Sequence, residues 1–581
     1  MQPPRTVIRR LLVLRPSKPP NAARRFTRHT NLASRGRPQI PFLSVPLARN
    51  QQFRYLTTER KRWLAYEVFL GFKYTIYVWA IVGFSVVGYW CVQQEWLERK
   101  YPTPHEWNFV TRLRFRLAKW APDRTDSPHT DWVLTGNYAK DVLARLEDPK
   151  GDGAGLQQQR ANGRTGYDIT TKSEPWKRGY YEALMLCAKA AENLDDHVVD
   201  TTRHLVFPAD QILGPSNPHP KPIAHGSPSA PHEKDCEPAF ESPRGIYEKI
   251  LTTEGFSSKQ KMDAALEYAS WLEFKDAPSE SAAMYETALK MATEAAVGSS
   301  PSAPLPYDEH SFVLRDTAGP PSANILTTLT ALATWHARDG NVSTALPILL
   351  SVLRARRSLP PPPPAATPVY DEPEAAVHAS PWTVANVAGI AKRLLFPPSY
   401  PPPPADGHAP PVRDAQERCE EAGLNLYIGE IIYASSSHSS SSSSSHSSRS
   451  TREDGLAWTR EAVDLAEEQL HKLNSDDEGG GGGASEAALR TCRECLASGL
   501  DNWRKMVARL ARDEAERKGD PAKASGGGGW LAGLWGDGTP ADARGRWAAE
   551  EDVVRERTRR AQEVLEESEA PKAGFGSLFW A

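Results

Sequence analysis

Six cysteines are the residues of this sequence whose types and spacing come closest to chemistry. Cys492 and Cys495 form C-R-E-C inside the helical segment SEAALRTCRECLASGLDNWRKMVARL, where a spacing of three places both side chains on one face. A zinc site of this type needs a second cysteine pair, and the sequence offers none, so no metal is predicted. Two interpretations stay open: a disulfide between Cys492 and Cys495, or two small buried hydrophobic side chains. The other cysteines are singletons: Cys91, Cys187, Cys236 and Cys419.

The motifs of common enzyme classes are missing. There is no P-loop, G-x-G-x-x-G, H-E-x-x-H or G-x-S-x-G. The 15 histidines and 72 acidic residues are scattered without ligand spacing, and His438 and His446 are read as spacer residues of a serine run. Residues 1–73 carry 16 basic and 2 acidic side chains, so from a total of -2 the remainder carries -16, which argues against a nucleic-acid partner. We predict a non-catalytic protein without cofactor or small-molecule substrate.

One segment has the length and composition to cross a bilayer. Residues 74–92 read YTIYVWAIVGFSVVGYWCV, without charge or proline, and with the apolar residues just upstream they define a predicted anchor over 68–92. A hydrocarbon core about 30 Å thick needs about 20 apolar residues in a helix. A buried core helix is the alternative, although such helices are rarely apolar on every face. No second span follows, so a transport path is not predicted.

The residues before the anchor have the composition of a mitochondrial presequence. Residues 1–58 contain twelve Arg or Lys and no Asp or Glu, and they lack the apolar core of a secretory signal. A disordered basic tail is the alternative. A presequence followed by one span predicts a single-pass protein of the mitochondrial inner membrane, with the rest of the chain in the intermembrane space. Charge supports this orientation only in part, because cleavage after Leu56 would leave four basic and two acidic side chains before the span.

The segment directly after the anchor mixes aromatic and basic residues. Residues 96–125 contain Trp107, Phe109 and Trp120 among Arg112, Arg116 and other cations. Such a composition is typical of an interfacial helix on anionic lipid. It is equally typical of the capping helix of the next domain, and both interpretations stay open.

Helical periodicity alternates with low-complexity spacers in the rest of the chain. Helices are predicted near 131–147, 175–194, 245–295, 322–357, 380–395, 412–433, 453–472, 485–515 and 546–568. The spacers are 359–368, 397–405, the serine run 435–450 and the glycine runs 479–483 and 526–529, whose compositions predict segments that do not order themselves. No strand-like alternation recurs, so the predicted class is all-α. A helical domain is predicted over 130–515, and a disordered linker with a C-terminal helix over 516–581.

Several helical pairs share a pattern of small and large residues. The clearest, over 322–357, has the spacing of a 34-residue helix–turn–helix unit in Leu332, Ala333, Gly340, Ala345 and Leu349. Here Ala333 and Ala345 are small where two helices cross, and Gly340 permits a tight turn. The unit resembles a tetratricopeptide repeat, and residues 261–295, with Tyr285 and Ala288, resemble a second one with a turn longer by a residue or two.

A third pair brackets the serine run. Gly429 lies on its first predicted helix, and Gly455 and Ala462 lie on its second. The run occupies the position of the turn, where a solvated insert is tolerated because loop closure costs only about 0.6 kcal/mol per doubling of length. The sequence thus predicts a divergent tetratricopeptide-repeat solenoid with disordered inserts, whose concave face binds proteins.

The order of leader, single span and repeats resembles a group of fungal mitochondrial inner-membrane proteins, with the repeat-bearing adaptor subunit of the i-AAA protease as the nearest functional relative. That resemblance implies partners: the i-AAA protease and unfolded clients. An assembly scaffold for a respiratory or translocase complex is the alternative. Repeat proteins that hold chaperone tails carry a clamp Asn where Thr334 and Glu430 stand here, which disfavours that role, and the acid-free leader argues against an outer-membrane import receptor.

Overall fold

The computed structural model describes residues 58–124, 130–158, 166–223, 226, 228–297, 305–315, 319–362, 400–438, 445–477, 484–519 and 545–569. This part of the chain is mostly helical, which confirms the predicted predominance of helix. Its thirteen α-helices are α1 (Thr58–Lys100), α2 (Phe109–Trp120), α3 (Trp132–Glu147), α4 (Glu174–Leu194), α5 (Pro243–Thr252), α6 (Ser258–Phe274), α7 (Pro278–Val297), α8 (Ala323–Arg338), α9 (Val342–Arg357), α10 (Ala415–His438), α11 (Ser445–Asp477), α12 (Ala484–Gly519) and α13 (Arg546–Glu569). The block predicted near 380–395 lies outside the described residues.

Side chains that cap the free N–H groups define several helix starts. Asp131 accepts a hydrogen bond from the Leu134 N–H before α3, and Ser173 accepts one from the Trp176 N–H before α4. A capping box begins α6, because the Ser257 hydroxyl accepts from the Gln260 N–H while the Gln260 side chain accepts from the Ser257 N–H. These local signals explain why the observed helix starts lie close to the starts predicted from the sequence.

Helix α1 is the one helix in the described ranges that is long and apolar enough to cross a membrane. None of its apolar window is buried by protein, and Trp79 and Phe84 are 70% and 80% exposed. The buried-core alternative therefore does not apply to this helix. The chain divides by its contacts into two units, Met1–Cys91 and Val92–Ala581. The predicted presequence lies outside the described residues except for Thr58.

The second unit is built from three consecutive hydrophobic clusters. The first runs from Trp107 to Leu272 and joins α2 to α6, the second joins α6 to α10, and the third joins α10 to α13. Helix α6 contributes one face to the first cluster and another to the second, and α10 does the same for the second and third. Each helix thus packs mainly on its neighbours in the chain. The C-terminal helix α13 belongs to the third cluster through the buried Trp547 and Val554.

The segment between α3 and α5 also contains short strands that sequence periodicity did not predict. Strands β1 (Gln157–Gln158) and β2 (Tyr167–Asp168) pair antiparallel. Strands β3 (His197–Asp200), β4 (Leu205–Pro208) and β5 (Cys236–Pro238) form an antiparallel sheet in the order β4-β3-β5, with Val198 opposite Phe207. Strands of two to four residues are too short for an alternating pattern to be recognised.

Two expectations about connections are wrong. The turn between α6 and α7 is not longer than the turn between α8 and α9: both comprise three residues, 275–277 and 339–341. Gly340 has φ of +87° in one turn, and Asp276 has φ of +54° in the other. The second wrong expectation is that the serine run 435–450 does not order itself. Parts of this run are helical, because α10 continues to His438 and α11 begins at Ser445. Helix propagation from a packed segment extends these ends although serine is only a moderate helix former.

Candidate protein-binding groove

Alternate helices of the second unit line a groove with a volume of about 760 Å³. Its lining comes from α4, α6, α8 and α10, with Tyr285 of α7 and Arg356 of α9. The side chains are Tyr181, Met185 and Lys189 on α4, Asp263, Leu266, Glu267 and Ser270 on α6, Thr327, Thr330, Ala331, Thr334 and Arg338 on α8, and Glu420 and Tyr427 on α10. Spacings of three and four residues place each set on one helix face.

The α8 side of the groove is a row of threonines. The hydroxyls of Thr327, Thr330 and Thr334 each donate to the carbonyl oxygen four residues earlier, over 3.0, 2.7 and 2.8 Å. Their donors are therefore satisfied within the helix, and the groove receives methyl groups and hydroxyl oxygens that still accept hydrogen bonds. A surface of this kind accommodates a peptide backbone without demanding a particular side chain.

Charged residues surround the threonines, and most of them are paired. Lys189 lies 3.8 Å from Glu267, Arg338 lies 3.3 Å from Glu273, and the buried Arg356 lies 2.7 Å from Glu420. The lining cations are thus already matched by carboxylates of this chain, so no net charge selects an anionic partner.

Asp263 differs from these residues. It has no ion pair or hydrogen bond within the described part of the chain, and burial raises the pKa of its carboxyl to about 6, while Lys259 lowers it and Glu267 raises it further. A half-buried carboxyl without a partner is an acceptor that a basic side chain of a bound protein would satisfy.

Most residues selected by the repeat pattern are buried between helices and do not line the groove. Leu332, Ala333, Ala345, Leu349, Tyr285, Ala288 and Ala462 are all buried. Of this group only Tyr285 also lines the groove. Thr334 lies in the lining, whereas Glu430 accepts a hydrogen bond from Asn502 of α12.

Two of the predicted glycines meet at a helix crossing. A Cβ atom at Gly429 of α10 would lie 2.8 Å from the carbonyl oxygen of Gly455 in α11, and one at Gly455 would lie 2.8 Å from the Gly429 oxygen. The two backbones approach so closely that neither position has space for a side chain.

The cysteine pairing differs from the interpretation of Cys492 and Cys495 as a disulfide. Cys492 forms a disulfide with Cys419 of α10, and Cys495 is a free, buried thiol whose pKa burial raises to about 12. All three cysteines lie in the third hydrophobic cluster, and within it Cys492 is the one that meets Cys419 of α10. Cys419 was missed because nothing local distinguishes one isolated cysteine from another.

Part of the proline-rich spacer 397–405 has a defined position. Residues 400–413, which we call the strap, run along the starts of α4, α6 and α8. The Arg178 guanidinium donates to the carbonyl oxygens of Pro401 and Pro402 over 3.1 and 2.8 Å. We predicted that the composition of this spacer would leave it disordered. Contacts with neighbouring helices give its described part a defined position instead.

Helix α2, the helix that follows α1, caps the first cluster. Trp107 and Phe115 are buried in that cluster, as the capping interpretation requires, while Phe109 and Val110 on the other face are 55% and 42% exposed.

Comparisons with family models, with curated proteins and with solved structures give no match to this chain.

Proposed function

We propose that this chain is a membrane-anchored, non-catalytic protein that binds other proteins in the groove between α4, α6, α8 and α10. The observation that carries the proposal is the alternation of lining helices, since consecutive helix pairs that contribute their first helix to one surface are the arrangement of repeat proteins that bind peptides. We read the helix pairs as divergent tetratricopeptide repeats.

The order of the segments in the sequence supports the proposed location. An acid-free leader rich in Arg, followed by one apolar helix, supports the mitochondrial inner membrane, with the groove in the intermembrane space. A disulfide between Cys419 and Cys492 fits a compartment that permits oxidation of thiols. The leader, span and repeats together support a role as substrate adaptor of the i-AAA protease.

The groove chemistry supports an adaptor that accepts many segments. Threonine hydroxyl oxygens, Met185 and Tyr181 contact a backbone or apolar side chains with little selectivity. Asp263 favours segments with a basic residue. Weak binding of varied, non-native segments is the behaviour that a protease adaptor needs.

The test is mass spectrometry of proteins that co-purify with the tagged full-length chain from mitochondria solubilised in mild detergent. We expect the i-AAA protease together with several clients. Recovery of one folded respiratory or translocase complex without the protease would support the assembly scaffold instead. Absence of the chain from the mitochondrial fraction would overturn the proposed location.

A pair of threonine variants tests the groove itself. Thr330→Arg places a long cation in the groove and should remove the clients. Thr287→Arg is the matched control, because Thr287 makes the same hydrogen bond to the carbonyl four residues earlier but lies on α7 outside the groove. Equal client recovery by both variants would contradict groove binding.

A further inference from the structure

The strap binds the helix array mainly through its own backbone. Besides the two bonds from Arg178, the Lys259 ammonium donates to the Ala405 oxygen over 3.1 Å and the Asn324 side chain donates to the Asp406 oxygen over 2.9 Å. The side chains of residues 402–406 are exposed. Three side chains, one from each of α4, α6 and α8, thus form a row of donors to the carbonyl oxygens of the strap.

The first turn of α8 extends this row. Its Asn324 and Ala323 N–H groups donate to the oxygens of Gly407 and Ala409, each over 3.2 Å. N–H groups in the first turn of a helix have no partner within the helix, and here the strap supplies the acceptors. The accepting oxygens belong to residues 401, 402, 405, 406, 407 and 409, so an extended segment with unpaired carbonyls can satisfy the row.

Proline-rich sequence is suited to this contact for a physical reason. A polyproline II segment makes no internal hydrogen bonds, so its carbonyls are free to accept, and proline restricts the unbound chain so that less entropy is lost on binding. Two side chains of the strap add contacts to this backbone docking. The Tyr400 ring centroid lies 4.6 Å from the Arg178 guanidinium carbon, and the Arg413 guanidinium pairs with Glu421 of α10 at 2.7 Å.

We propose that the row of donors formed by Arg178, Lys259 and Asn324 is a docking site for an extended, proline-rich segment of a partner protein, and that the strap occupies this site in cis until the partner displaces it. The strap's exposed side chains and backbone-mediated contacts make displacement feasible. Tyr181 and Asp263, each within about a turn of Arg178 and Lys259, line the groove, so a partner docked at the row lies along the groove's rim. This site is separate from the groove lining.

Because the strap is part of the same chain as its site, it competes strongly with any free peptide. A segment attached to its site acts at an effective concentration on the order of 1 mM, so a free peptide of equal intrinsic affinity fills little of the wild-type site. Weakening the strap without changing the row should reveal the site. Gly407 provides the means: its φ is +69°, and an added Cβ would collide with the Asn324 side-chain oxygen.

The experiment measures fluorescence anisotropy of a C-terminally labelled peptide with the sequence of residues 400–409, YPPPPADGHA, on the full-length chain in mild detergent. We expect the Gly407→Ala protein to bind it at least tenfold more tightly than the wild type. Adding Arg178→Ala should abolish that binding. Arg490→Ala, which removes an exposed arginine paired with Glu494 on α12, is the matched control and should leave it unchanged.

Equal peptide affinity for the wild type and the Gly407→Ala protein, or binding that survives Arg178→Ala, would overturn the proposal. Concentration-dependent dimerisation of the Gly407→Ala protein would also overturn it, because the occupant would then be the strap of a second copy. Should Gly407→Ala fail to fold, judged by circular dichroism, the double change Pro401→Gly with Pro402→Gly weakens the strap by restoring chain entropy and carries the same expectations.

Discussion

Cys419 of α10 and Cys492 of α12 are joined in a disulfide across 73 residues of sequence, with their Cα atoms 4.9 Å apart. Both side chains are fully buried in the third hydrophobic cluster. The bond therefore closes α10, α11 and the start of α12 into one loop. Since α10 also contributes to the second cluster, the crosslink restrains the helix that connects the two cores.

Removing the disulfide should destabilise the α10–α13 region by about 2–4 kcal/mol, because a crosslink over a long loop restricts the unfolded chain. Cys419→Ser tests this by urea unfolding followed by circular dichroism, and reductant should lower the wild-type midpoint but not that of the variant. Cys236→Ser is the control, since Cys236 is a free thiol on β5. An unchanged Cys419→Ser midpoint would refute the prediction.

The crossing of α10 and α11 depends on the absence of a side chain at Gly429. Gly429→Ala should cost about 1–3 kcal/mol, because its Cβ would meet the Gly455 oxygen and the Thr459 hydroxyl at 2.8 Å and the helices must separate. Gly423→Ala is the matched control on the same helix: nothing lies within 4 Å of its added Cβ, so replacing a mid-helix glycine should stabilise by about 0.5–1 kcal/mol. Opposite signs in thermal unfolding are the expected result.

The Asp263 carboxyl should make stability depend on pH. Burial raises its pKa from 3.8 to about 6, so between these values the folded state holds a proton that the unfolded state has released. This group's contribution to the free energy of unfolding therefore falls as pH rises through that window, and the loss is complete above it.

Asp263→Asn removes this titration. The variant should be more stable than the wild type at pH 7.5, and the difference should shrink as pH is lowered towards 4. Glu516→Gln, at an exposed site on α12, serves as control and should follow the wild type. A constant difference between Asp263→Asn and wild type at every pH would show that hydrogen bonding or packing, and not protonation, distinguishes them.

The end of α1 is tied to α2 by a buried charge network. The Glu98 carboxylate, 2% exposed, accepts from the Thr103 hydroxyl at 2.8 Å, from Arg112 at 3.0 Å and from Arg116 at 2.5 Å. Burial lowers the pKa of the Arg116 guanidinium, which Glu98 counteracts. Without its carboxylate the network would leave buried positive charge unpaired.

Glu98→Gln should cost about 3–5 kcal/mol, the range for breaking one partner of a buried ion pair. Amide hydrogen exchange over residues 109–120 should then accelerate, because α2 loses its attachment to α1. Glu95→Gln on the same helix is the control: its pair with Arg99 is an exposed contact at 3.2 Å and is expected to be worth less than 1 kcal/mol. Equal protection of α2 in both variants would contradict the prediction.

Local signals in the sequence determined where the helices lie. Apolar periodicity and caps such as Ser257 and Ser322 act within a few residues, so most described helices match the predicted blocks. The long apolar helix α1 was equally predictable, because its length and composition can be read from the sequence alone. The short strands were missed, since pairing such as Val198 with Phe207 depends on a distant partner and not on pattern.

Tertiary structure alone decided which distant residues meet. Cys492 forms its disulfide with Cys419 and not with Cys495, because packing of α10 on α12 brings the Cys419 and Cys492 sulfur atoms together. The strap depends on Arg178, more than 200 positions earlier in the chain, through contacts that no composition of residues 400–413 reveals. Helices are encoded by neighbours in sequence, whereas a groove, a disulfide and a docked strap are encoded by how the helices stack, and stacking sums many weak, non-local contacts.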